Sequence, residues 1–364
     1  MLNKELHYFA GGNTAKGFVH FFDSNFQDLQ RLFILKGGPG TGKSSMIKSI
    51  GQEWLDSGYF VEWIHCSSDP DSLDAMILPE LKVGIVDGTN PHVIEPKYPG
   101  VVDDYVNLGT AWDRSRLLTQ KDEIIALSNQ IKEGFQKAYH SLAQGLALHD
   151  DLEKIYINEM NFEKANKLAE RWVKQLIPEK SHSKSGEKRV FKRFLGATTP
   201  TGPIDYVDSL TEGLHRYFIK GRAGTGKSTL LKKIANAAKD KGYDVEIYHC
   251  GFDPNSLDMV IVRELNFAIF DSIAPHEYFP SKNTDVIIDL YELLITPGTD
   301  EKYAEEIKRA TISYKSKMSE GINHLAKTKE LRDQLEHIYT QAMDFTSVDK
   351  IRDKINEEIK SLAK

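Results

Sequence analysis

The stretch Gly37-Gly38-Pro39-Gly40-Thr41-Gly42-Lys43-Ser44 decides how this chain is interpreted, and it recurs as Gly221-Arg222-Ala223-Gly224-Thr225-Gly226-Lys227-Ser228. Both copies fit the pattern G-x-x-x-x-G-K-[ST], in which glycines let backbone N–H groups surround a polyphosphate. Each follows a short apolar run and opens an amphipathic helix, whose N-terminus favours negative charge. We therefore predict that both stretches bind the phosphates of a nucleotide. The predicted binding residues are Gly37, Gly40, Thr41, Gly42, Lys43, Ser44 and Ser45 in the first loop, and Gly221, Gly224, Thr225, Gly226, Lys227, Ser228 and Thr229 in the second.

The two loops belong to a duplication that spans nearly the whole chain of 364 residues. Residues 36–96 align without a gap on residues 220–280, and 29 of those 61 positions are identical. The register continues on both sides, with an offset of 185 upstream and 183 downstream. A repeat of this length is a complete domain rather than a solenoid unit. The predicted boundaries are 1–177 for the first module, 178–192 for a polar linker and 193–364 for the second module.

Within each module, alternating β-rich runs and helical patterns predict an α/β fold with a mostly parallel sheet. A helix is predicted just before the apolar run 83–86, where it would carry Glu80, as its counterpart carries Glu264. From about 113 to 177, apolar residues recur at spacings of three and four, which indicates amphipathic helix. A break near 158–162 predicts that this region folds into a helical hairpin. The second copy repeats this pattern over about 301–364.

Composition excludes several classes of protein. Hydrophobic residues make up 40% of the chain and charged residues 27%, as in ordinary globular domains rather than disordered or collagen-like chains. Apolar runs of about four residues are far shorter than the ~18 residues of a membrane-spanning helix, so no membrane partner is expected. Two cysteines, and N-terminal residues without an apolar core, favour a reduced cytoplasmic location. A net charge of −6 gives no electrostatic reason to expect nucleic acid binding.

A phosphate-binding module also needs an acidic residue at the end of an apolar strand, where it holds Mg²⁺. Asp87 and Asp271 meet this requirement, and each lies 44 residues after its loop lysine. The predicted metal ligands are Ser44 and Asp87 in the first module, and Ser228 and Asp271 in the second. A turn aspartate after a buried strand is the alternative interpretation of the two aspartates.

These motifs resemble the P-loop NTPase superfamily over residues 31–92 and 216–276. The tandem arrangement resembles poorly characterised bacterial ATPases that carry two such modules in one chain. The resemblance implies a three-layer α/β/α fold and binding of ATP with Mg²⁺. The chain departs from many motor-type ATPases at one point, because Gly88 and Ser272 follow the aspartates where those enzymes place a glutamate that orients water. This departure leaves room for kinase-like phosphoryl transfer.

Two further pairs of residues shared by the copies are candidates for catalysis, beside the loop lysines themselves. Asp69 and Asp253, each followed by a proline, are predicted to act as a general base, and a helix N-cap is the alternative role. His92 and His276 are predicted to sense or stabilise the γ-phosphate, and a structural loop role is the alternative.

The sequence thus favours a protein that binds ATP and Mg²⁺ at two sites and couples ATP hydrolysis to movement of the helical hairpins. Two alternatives stay open. One is a nucleotide or small-molecule kinase in which each hairpin forms a lid. The other is a nucleotide-gated scaffold with negligible turnover, whose hairpins bind a partner protein or nucleic acid. ATP is preferred to GTP only by default.

Overall fold

Each copy of the repeat builds one six-stranded sheet in the computed structural model, which describes residues 4–179 and 188–363. The strands of the first copy are β1 (Glu5–Tyr8), β2 (Gly11–Thr14), β3 (Gly17–His20), β4 (Arg31–Lys36), β5 (Val61–Cys66), β6 (Asp69–Leu78), β7 (Val83–Asp87) and β8 (Asp103–Asn107). Those of the second copy are β9 (Val190–Phe194), β10 (Gly196–Thr199), β11 (Gly202–Asp205), β12 (His215–Lys220), β13 (Val245–His249), β14 (Leu257–Val262), β15 (Phe267–Asp271) and β16 (Val286–Asp289).

The two sheets have the same strand order, β1-β5-β6-β7-β4-β8 in the first copy and β9-β13-β14-β15-β12-β16 in the second. In the first sheet β6 runs antiparallel to β5 and β7, and β14 does the same between β13 and β15. The remaining neighbours pair in parallel. The predicted α/β class is therefore confirmed, with mixed sheets. The strands β2–β3 and β10–β11 form separate antiparallel pairs.

The prediction of a helix before the apolar run 83–86 is wrong, because these residues form the antiparallel strand β6. Residues 73–78 are all buried, and a short apolar run such as 75–78 is compatible with a buried strand or a buried helix. Asp69 opens this strand, so the alternative role as a helix N-cap is also wrong. Glu80 lies in the turn between β6 and β7, and Glu264 lies in a 3-10 turn at Arg263–Leu265.

The helices fall into two groups, those directly after the glycine loops and those after the sheets. The first group is α2 (Lys43–Asp56) and α7 (Lys227–Asp240), and the one-turn helices α1 (Phe22–Asn25) and α6 (Val207–Leu210) precede them in each copy. The second group is α3 (Arg114–Thr119), α4 (Lys121–Asn158) and α5 (Phe162–Leu176) in the first copy, and α8 (Leu290–Leu294), α9 (Thr299–Lys302), α10 (Ala304–Gln341) and α11 (Phe345–Leu362) in the second. Within the described ranges, no helix is both long and apolar enough to cross a bilayer.

The long helices pair with each other across the two copies, so the predicted hairpins are wrong. Helix α4 packs antiparallel along α10, and small residues mark their close approaches: Gly134 faces Thr328, and Gly321 faces Leu142. The apolar stripe of α4 around Leu127 packs against the stripe of α10 around Leu335. These two stripes therefore cover each other within the chain.

The short helices are exchanged as well. Helix α5 contributes Trp172 and Leu176 to the core of the second copy, beside Leu231 and Ile234 of α7. Helix α11 packs on α2 of the first copy in the same way, and Trp54 Nε1 donates a hydrogen bond to Asn356 Oδ1 at 2.9 Å. The boundaries 1–177 and 193–364 therefore describe the sequence repeat but not two self-contained structural units.

The second face of each sheet lies against a core that both copies share. Alternate residues of β4 point to opposite faces, with Phe33 in the core under α2 and Ile34 in the shared core. The shared core also holds Phe218 and Phe270 from the second copy. The predicted three-layer arrangement is thus altered, because the inter-copy core and the one-turn helices stand where a second layer of long helices was expected.

The predicted linker 178–192 overlaps strand β9, which begins at Val190. Residues 180–187 of that prediction lie outside the described residues. Strand β9 contributes Arg193, which is 2% exposed and donates hydrogen bonds to Glu62 Oε2 at 2.9 Å and to Glu246 Oε2 at 3.0 Å. Its guanidinium also lies 3.9 Å from the centre of the Tyr8 ring. A buried cation with one carboxylate from each copy thus joins the two sheets.

A histidine pair at the same inter-copy contact makes stability depend on pH. His65 stacks on Tyr206 of the second copy at 4.5 Å, donates its Nδ1–H to Pro70 O and accepts a hydrogen bond on Nε2 from His7 Nδ1 at 2.9 Å. Burial, and then the neighbouring His7, lower the pKa of His65 to about 4. The ring is therefore neutral in the folded protein at pH values at which the unfolded chain already binds a proton.

We expect this site to destabilise the fold as the pH falls from about 6.5, the unfolded pKa of histidine, to about 4. In this window the unfolded state binds more protons, so the free energy of unfolding decreases with acidification, by about 3 kcal/mol at most from His65. Urea unfolding of the wild type and His65→Gln at pH 7 and pH 5 checks this, with exposed His215→Gln as the control. An identical pH dependence in the wild type and His65→Gln would contradict it.

Candidate functional site

Each glycine loop joins an internal strand of its sheet, β4 or β12, to the helix that follows. Gly40 and Gly42 adopt positive φ angles of 66° and 86°, and Gly224 and Gly226 adopt 72° and 87°. Such angles are readily accessible only to glycine, and they turn successive backbone N–H groups into a concave surface suited to an anion. The helices begin at the lysine of each motif, so their N-terminal N–H groups face the same space.

The loop lysines are folded into the loops. Lys43 Nζ donates a hydrogen bond to Gly38 O at 2.7 Å and lies 3.6 Å from Asp87 Oδ2. Lys227 Nζ makes the equivalent contacts, 2.7 Å to Arg222 O and 3.6 Å to Asp271 Oδ2. Both side chains are 8% exposed. The structure therefore brings together the lysine and the strand-end aspartate that the sequence predicts to act on one nucleotide.

The predicted metal ligands lie at the same edge of each sheet, but the two sites differ. Ser44 Oγ and Ser228 Oγ each accept a backbone hydrogen bond at 2.9 Å, from Leu73 N and Leu257 N. Asp271 Oδ1 is buried and has no hydrogen-bond partner among the described residues, and burial raises the pKa of this carboxyl. Asp87 Oδ1 instead accepts hydrogen bonds from Thr89, from N at 2.9 Å and from Oγ1 at 2.6 Å.

A magnesium ion fits this donor set. The unpaired oxygen of Asp271 is a buried acceptor that a cation would satisfy, and Ser228 supplies a hydroxyl from the same edge of the sheet. In the described part of the chain, no cluster of three or more His, Cys, Asp or Glu side chains could enclose a metal. Mg²⁺ commonly takes one or two protein oxygens and completes its shell with water and phosphate oxygens.

The two predicted general bases lie at the sites, each paired with a lysine from the other copy. Asp69 Oδ1 lies 3.7 Å from Lys329 Nζ of α10. Asp253 Oδ1 lies 3.3 Å from Lys16 Nζ, in the turn between β2 and β3. Each of these carboxylates therefore faces a cation that the other copy supplies.

The two predicted phosphate-sensing histidines lie in different environments. His92 is 4% exposed among the rings of Phe18 and Phe22, and its Nε2 lies 3.3 Å from Asp74 Oδ1. Neither ring nitrogen makes a hydrogen bond to a described residue. Burial lowers its pKa to about 4, so the ring is neutral. His276 Nδ1 instead lies 2.5 Å from Asp205 Oδ2. Burial opposes its charge, but the hydrogen bond and the charge of Asp205 outweigh burial and raise its pKa.

Two carboxyls that the sequence analysis did not assign lie at the centre of these sites. Burial, and then the charge of Asp87, raise the pKa of Asp74 to about 8. Burial, and then Asp271, raise that of Asp258 to about 7. Both belong to the motif that the copies share after the second strand of the nucleotide-binding core. Because this motif is identical in the two copies, it could have indicated both aspartates as candidate site residues. A carboxyl with a pKa near neutrality can accept or return a proton at physiological pH.

The long helices complete both sites from the opposite copy. A side chain at Gly40 would collide with the backbone carbonyl of Glu336 in α10, and one at Gly224 would collide with that of Glu153 in α4. Thr340 Oγ1 also donates a hydrogen bond to Gly40 O at 3.3 Å. Since 153 and 336 correspond in the repeat, each glycine loop touches the same turn of the other copy's long helix.

A cavity of about 870 Å³ opens at the second loop. It is lined by the loop itself, by Asp253, Asp258, Asp271 and His276, and by parts of α4, α5 and α10. Its volume lies within the range of about 300–1,000 Å³ that is common for small-molecule sites. The structure thus gathers the predicted phosphate-binding, metal-binding and catalytic residues of the second copy around one space. Comparisons of the chain with protein families, curated proteins and solved structures found no match.

Proposed function

We propose that the chain binds ATP with Mg²⁺ at both glycine loops and hydrolyses the nucleotide, in the cytoplasm, where ATP and Mg²⁺ are supplied. The observation that carries this proposal is the grouping of a positive-φ glycine loop, a buried lysine and the unpaired buried oxygen of Asp271 at the end of a central strand. In a metal–triphosphate complex, the glycine loop suits the phosphate oxygens, the lysine suits their negative charge, and the unpaired oxygen of Asp271 suits the cation.

The roles of the residues follow from their positions. Lys43 and Lys227 would exchange their loop carbonyls for phosphate oxygens and neutralise charge there. Ser44 with Asp87, and Ser228 with Asp271, would hold Mg²⁺, which would supply positive charge to offset that of the phosphates. In hydrolysis a water oxygen bonds to the γ-phosphorus, the bond to the β–γ bridging oxygen breaks, and the water gives up a proton. Asp258, whose pKa is about 7, would take this proton at the second site, and the ionised fraction of Asp74, whose pKa is about 8, would take it at the first.

The contacts between loops and helices support coupling of nucleotide turnover to movement. A bound triphosphate fills the loop next to Gly40 or Gly224, and each of these residues lies against a backbone carbonyl of the other copy's long helix. A change in loop position is therefore transmitted to α10 from the first site and to α4 from the second, and these helices are packed together.

A kinase is the second candidate, and the cavity at the second site favours it. The cavity extends beyond the loop to Phe252, Tyr314 and Met318, which leaves room for an acceptor molecule next to the phosphates. Chemistry of this kind transfers the γ-phosphoryl group to a hydroxyl instead of water, and Asp258 would then accept the hydroxyl proton.

Steady-state phosphate release from ATP tests the leading proposal. We expect release that requires Mg²⁺ and stops when a chelator removes it, because the phosphate charge then lacks its counter-ion. Parallel reactions with GTP measure nucleotide preference, and labelled γ-phosphate with a panel of nucleosides and metabolites detects transfer. Phosphate transfer without release would favour the kinase. If neither phosphate release nor phosphate transfer is detected, both enzymatic proposals are contradicted and a nucleotide-gated scaffold remains.

A further inference from the structure

The two sites receive different side chains from the two long helices. In the repeat register, residues 329, 332, 336 and 339 of α10 correspond to 146, 149, 153 and 156 of α4. These positions, spaced by three and four, lie on one face of each helix. On that face α10 presents Lys329 and Arg332 to the first site, whereas α4 presents Leu146 and His149 to the second.

Arg332 lies at the first site, and its guanidinium has N–H groups that are available to donate hydrogen bonds. Lys329, one turn earlier, lies 3.7 Å from Asp69, and Glu336, one turn later, lies against the glycine loop. The acidic groups that act on the charge of Arg332 are Glu336, Asp69 and Asp74. Its guanidinium makes a 3.9 Å ion pair with Glu336, and within residues 4–179 and 188–363 it donates no hydrogen bond. A guanidinium has five N–H donors in a fixed fork that matches phosphate oxygens, and these are uncommitted here.

His149 cannot supply the same charge to the second site. Its ring meets those of Phe252 and Tyr314 edge-on, at 6.1 Å and 5.3 Å between centres. Burial lowers its pKa, so the ring is neutral near pH 7. Lys227 and Asp253 both act on its charge, which places His149 at the second site just as Arg332 is placed at the first.

Arg222 and Lys16 also lie near the second site, but each is already paired with a carboxylate. Arg222 occupies the second loop where the first has Gly38, but its guanidinium bonds to Asp300 Oδ2 at 3.0 Å and lies over the Tyr291 ring. Lys16 is paired with Asp253, as Lys329 is paired with Asp69. Lys233 lines the second site where the first copy has Ser49, but it donates a hydrogen bond to Asn166 Oδ1 at 2.9 Å. The first site thus differs in holding the guanidinium of Arg332, which makes a 3.9 Å ion pair and donates no hydrogen bond in the described part of the chain.

We propose that the two sites are chemically unequal: Arg332 of the second copy contacts the terminal phosphate of ATP in the first site, and His149 takes its place without that contact in the second. The first site therefore carries most of the turnover, and it is complete only when the second copy's helix is docked on it. The second site binds ATP and turns it over slowly. This inference rests on the proposed function, because Arg332 acts on the phosphate that is cleaved. A donor aimed at charge that develops on the phosphate in the transition state contributes about 100- to 1000-fold in rate.

Variants with one working loop separate the sites. In Lys227→Ala, where only the first site keeps its lysine, we expect most of the wild-type phosphate release to remain. In Lys43→Ala, where only the second site does, we expect most of it to disappear. Adding Arg332→Gln to Lys227→Ala should lower kcat about 100-fold. Adding His149→Arg to Lys43→Ala should raise the turnover of the second site, a gain that loss of folding cannot mimic.

Binding provides a readout that does not depend on turnover. In the Lys227→Ala background, Arg332→Gln should weaken ATP binding to the first site about 10-fold and leave ADP binding unchanged, because only ATP carries the terminal phosphate. Lys327→Gln, at an exposed position of α10, is a matched loss of one charge and should leave the preference for ATP over ADP intact. Thermal unfolding of each variant verifies the fold.

The outcomes distinguish this inference from the proposed function. If the wild type binds no ATP, the proposed function fails and the inference fails with it. If the wild type binds ATP but the two single-lysine variants behave alike, or Arg332→Gln leaves both kcat and the preference for ATP unchanged, only the inference is overturned.

Discussion

Replacing Lys43 and Lys227 together by alanine is expected to lower phosphate release from ATP by about 100- to 1000-fold, the cost of removing a charge donor from the transferred phosphate. Each lysine side chain is 8% exposed, and its ammonium group donates to a loop carbonyl and lies 3.6 Å from the strand-end aspartate of its site. It is thus held where the triphosphate would lie, and no other lysine in the described ranges occupies that position in either loop.

Lys48→Ala is the matched control, because Lys48 lies on the same helix as Lys43 but is exposed to solvent. Its phosphate release should equal that of the wild type. Circular dichroism and thermal unfolding of the double variant show whether the fold persists. A folded double variant with undiminished phosphate release would contradict hydrolysis at the glycine loops.

Replacing Trp172 by alanine is expected to destabilise the second copy although the residue belongs to the first copy of the repeat. Trp172 is 6% exposed, and its ring meets that of Tyr217 edge-on at 5.4 Å in the core that contains Leu231 and Ile234. Removing a buried tryptophan costs about 3–5 kcal/mol, because apolar burial is lost and a cavity remains. The free energy of unfolding should therefore fall by an amount that urea titration measures readily.

The location of the damage tests the helix exchange directly. Hydrogen–deuterium exchange should show loss of protection in α7 of the second copy, whereas α2 of the first copy should keep its protection. Lys174→Ala, at an exposed position of the same helix, should change neither. Loss of protection in α2 instead of α7 would mean that the short helix packs on its own copy.

The sequence predicted the parts of the site that depend on local geometry. The glycines at positive φ, the lysine that opens the helix and the aspartate that ends the strand are fixed by neighbours within one loop or one strand. A residue-type pattern can specify such a unit, because each position has a steric or electrostatic requirement of its own. For that reason Lys43 and Asp87 could be assigned to one site before their distance was known.

The sequence did not predict which helix packs on which core. The copies have similar apolar stripes, so α4 could satisfy its stripe on its own short helix or on α10, and periodicity does not distinguish the two. The break at 158–162 is real, since α4 ends at Asn158 and α5 begins at Phe162, but α5 continues to the other copy. The roles of Arg332 and His149 follow only from this exchange, because in the sequence they lie far from the loops that they approach.

The sequence also did not predict the different environments of residues that align in the repeat. His92 and His276 align in the repeat, yet the residue that faces His276 is Asp205, whose counterpart in the first copy is His20. The difference between Asp205 and His20 therefore contributes to the opposite pKa shifts of the two aligned histidines: the pKa of His276 is raised, whereas that of His92 is lowered.

The central claim is that the chain holds two nucleotide sites, each built on one glycine loop. Isothermal titration calorimetry with ATP and Mg²⁺ tests it most directly, because it counts bound nucleotides without requiring turnover. We expect two ATP molecules per wild-type chain, one in Lys43→Ala, one in Lys227→Ala and none in the double variant. Binding of ATP by the folded double variant with wild-type stoichiometry, or no binding by the wild type, would contradict the claim.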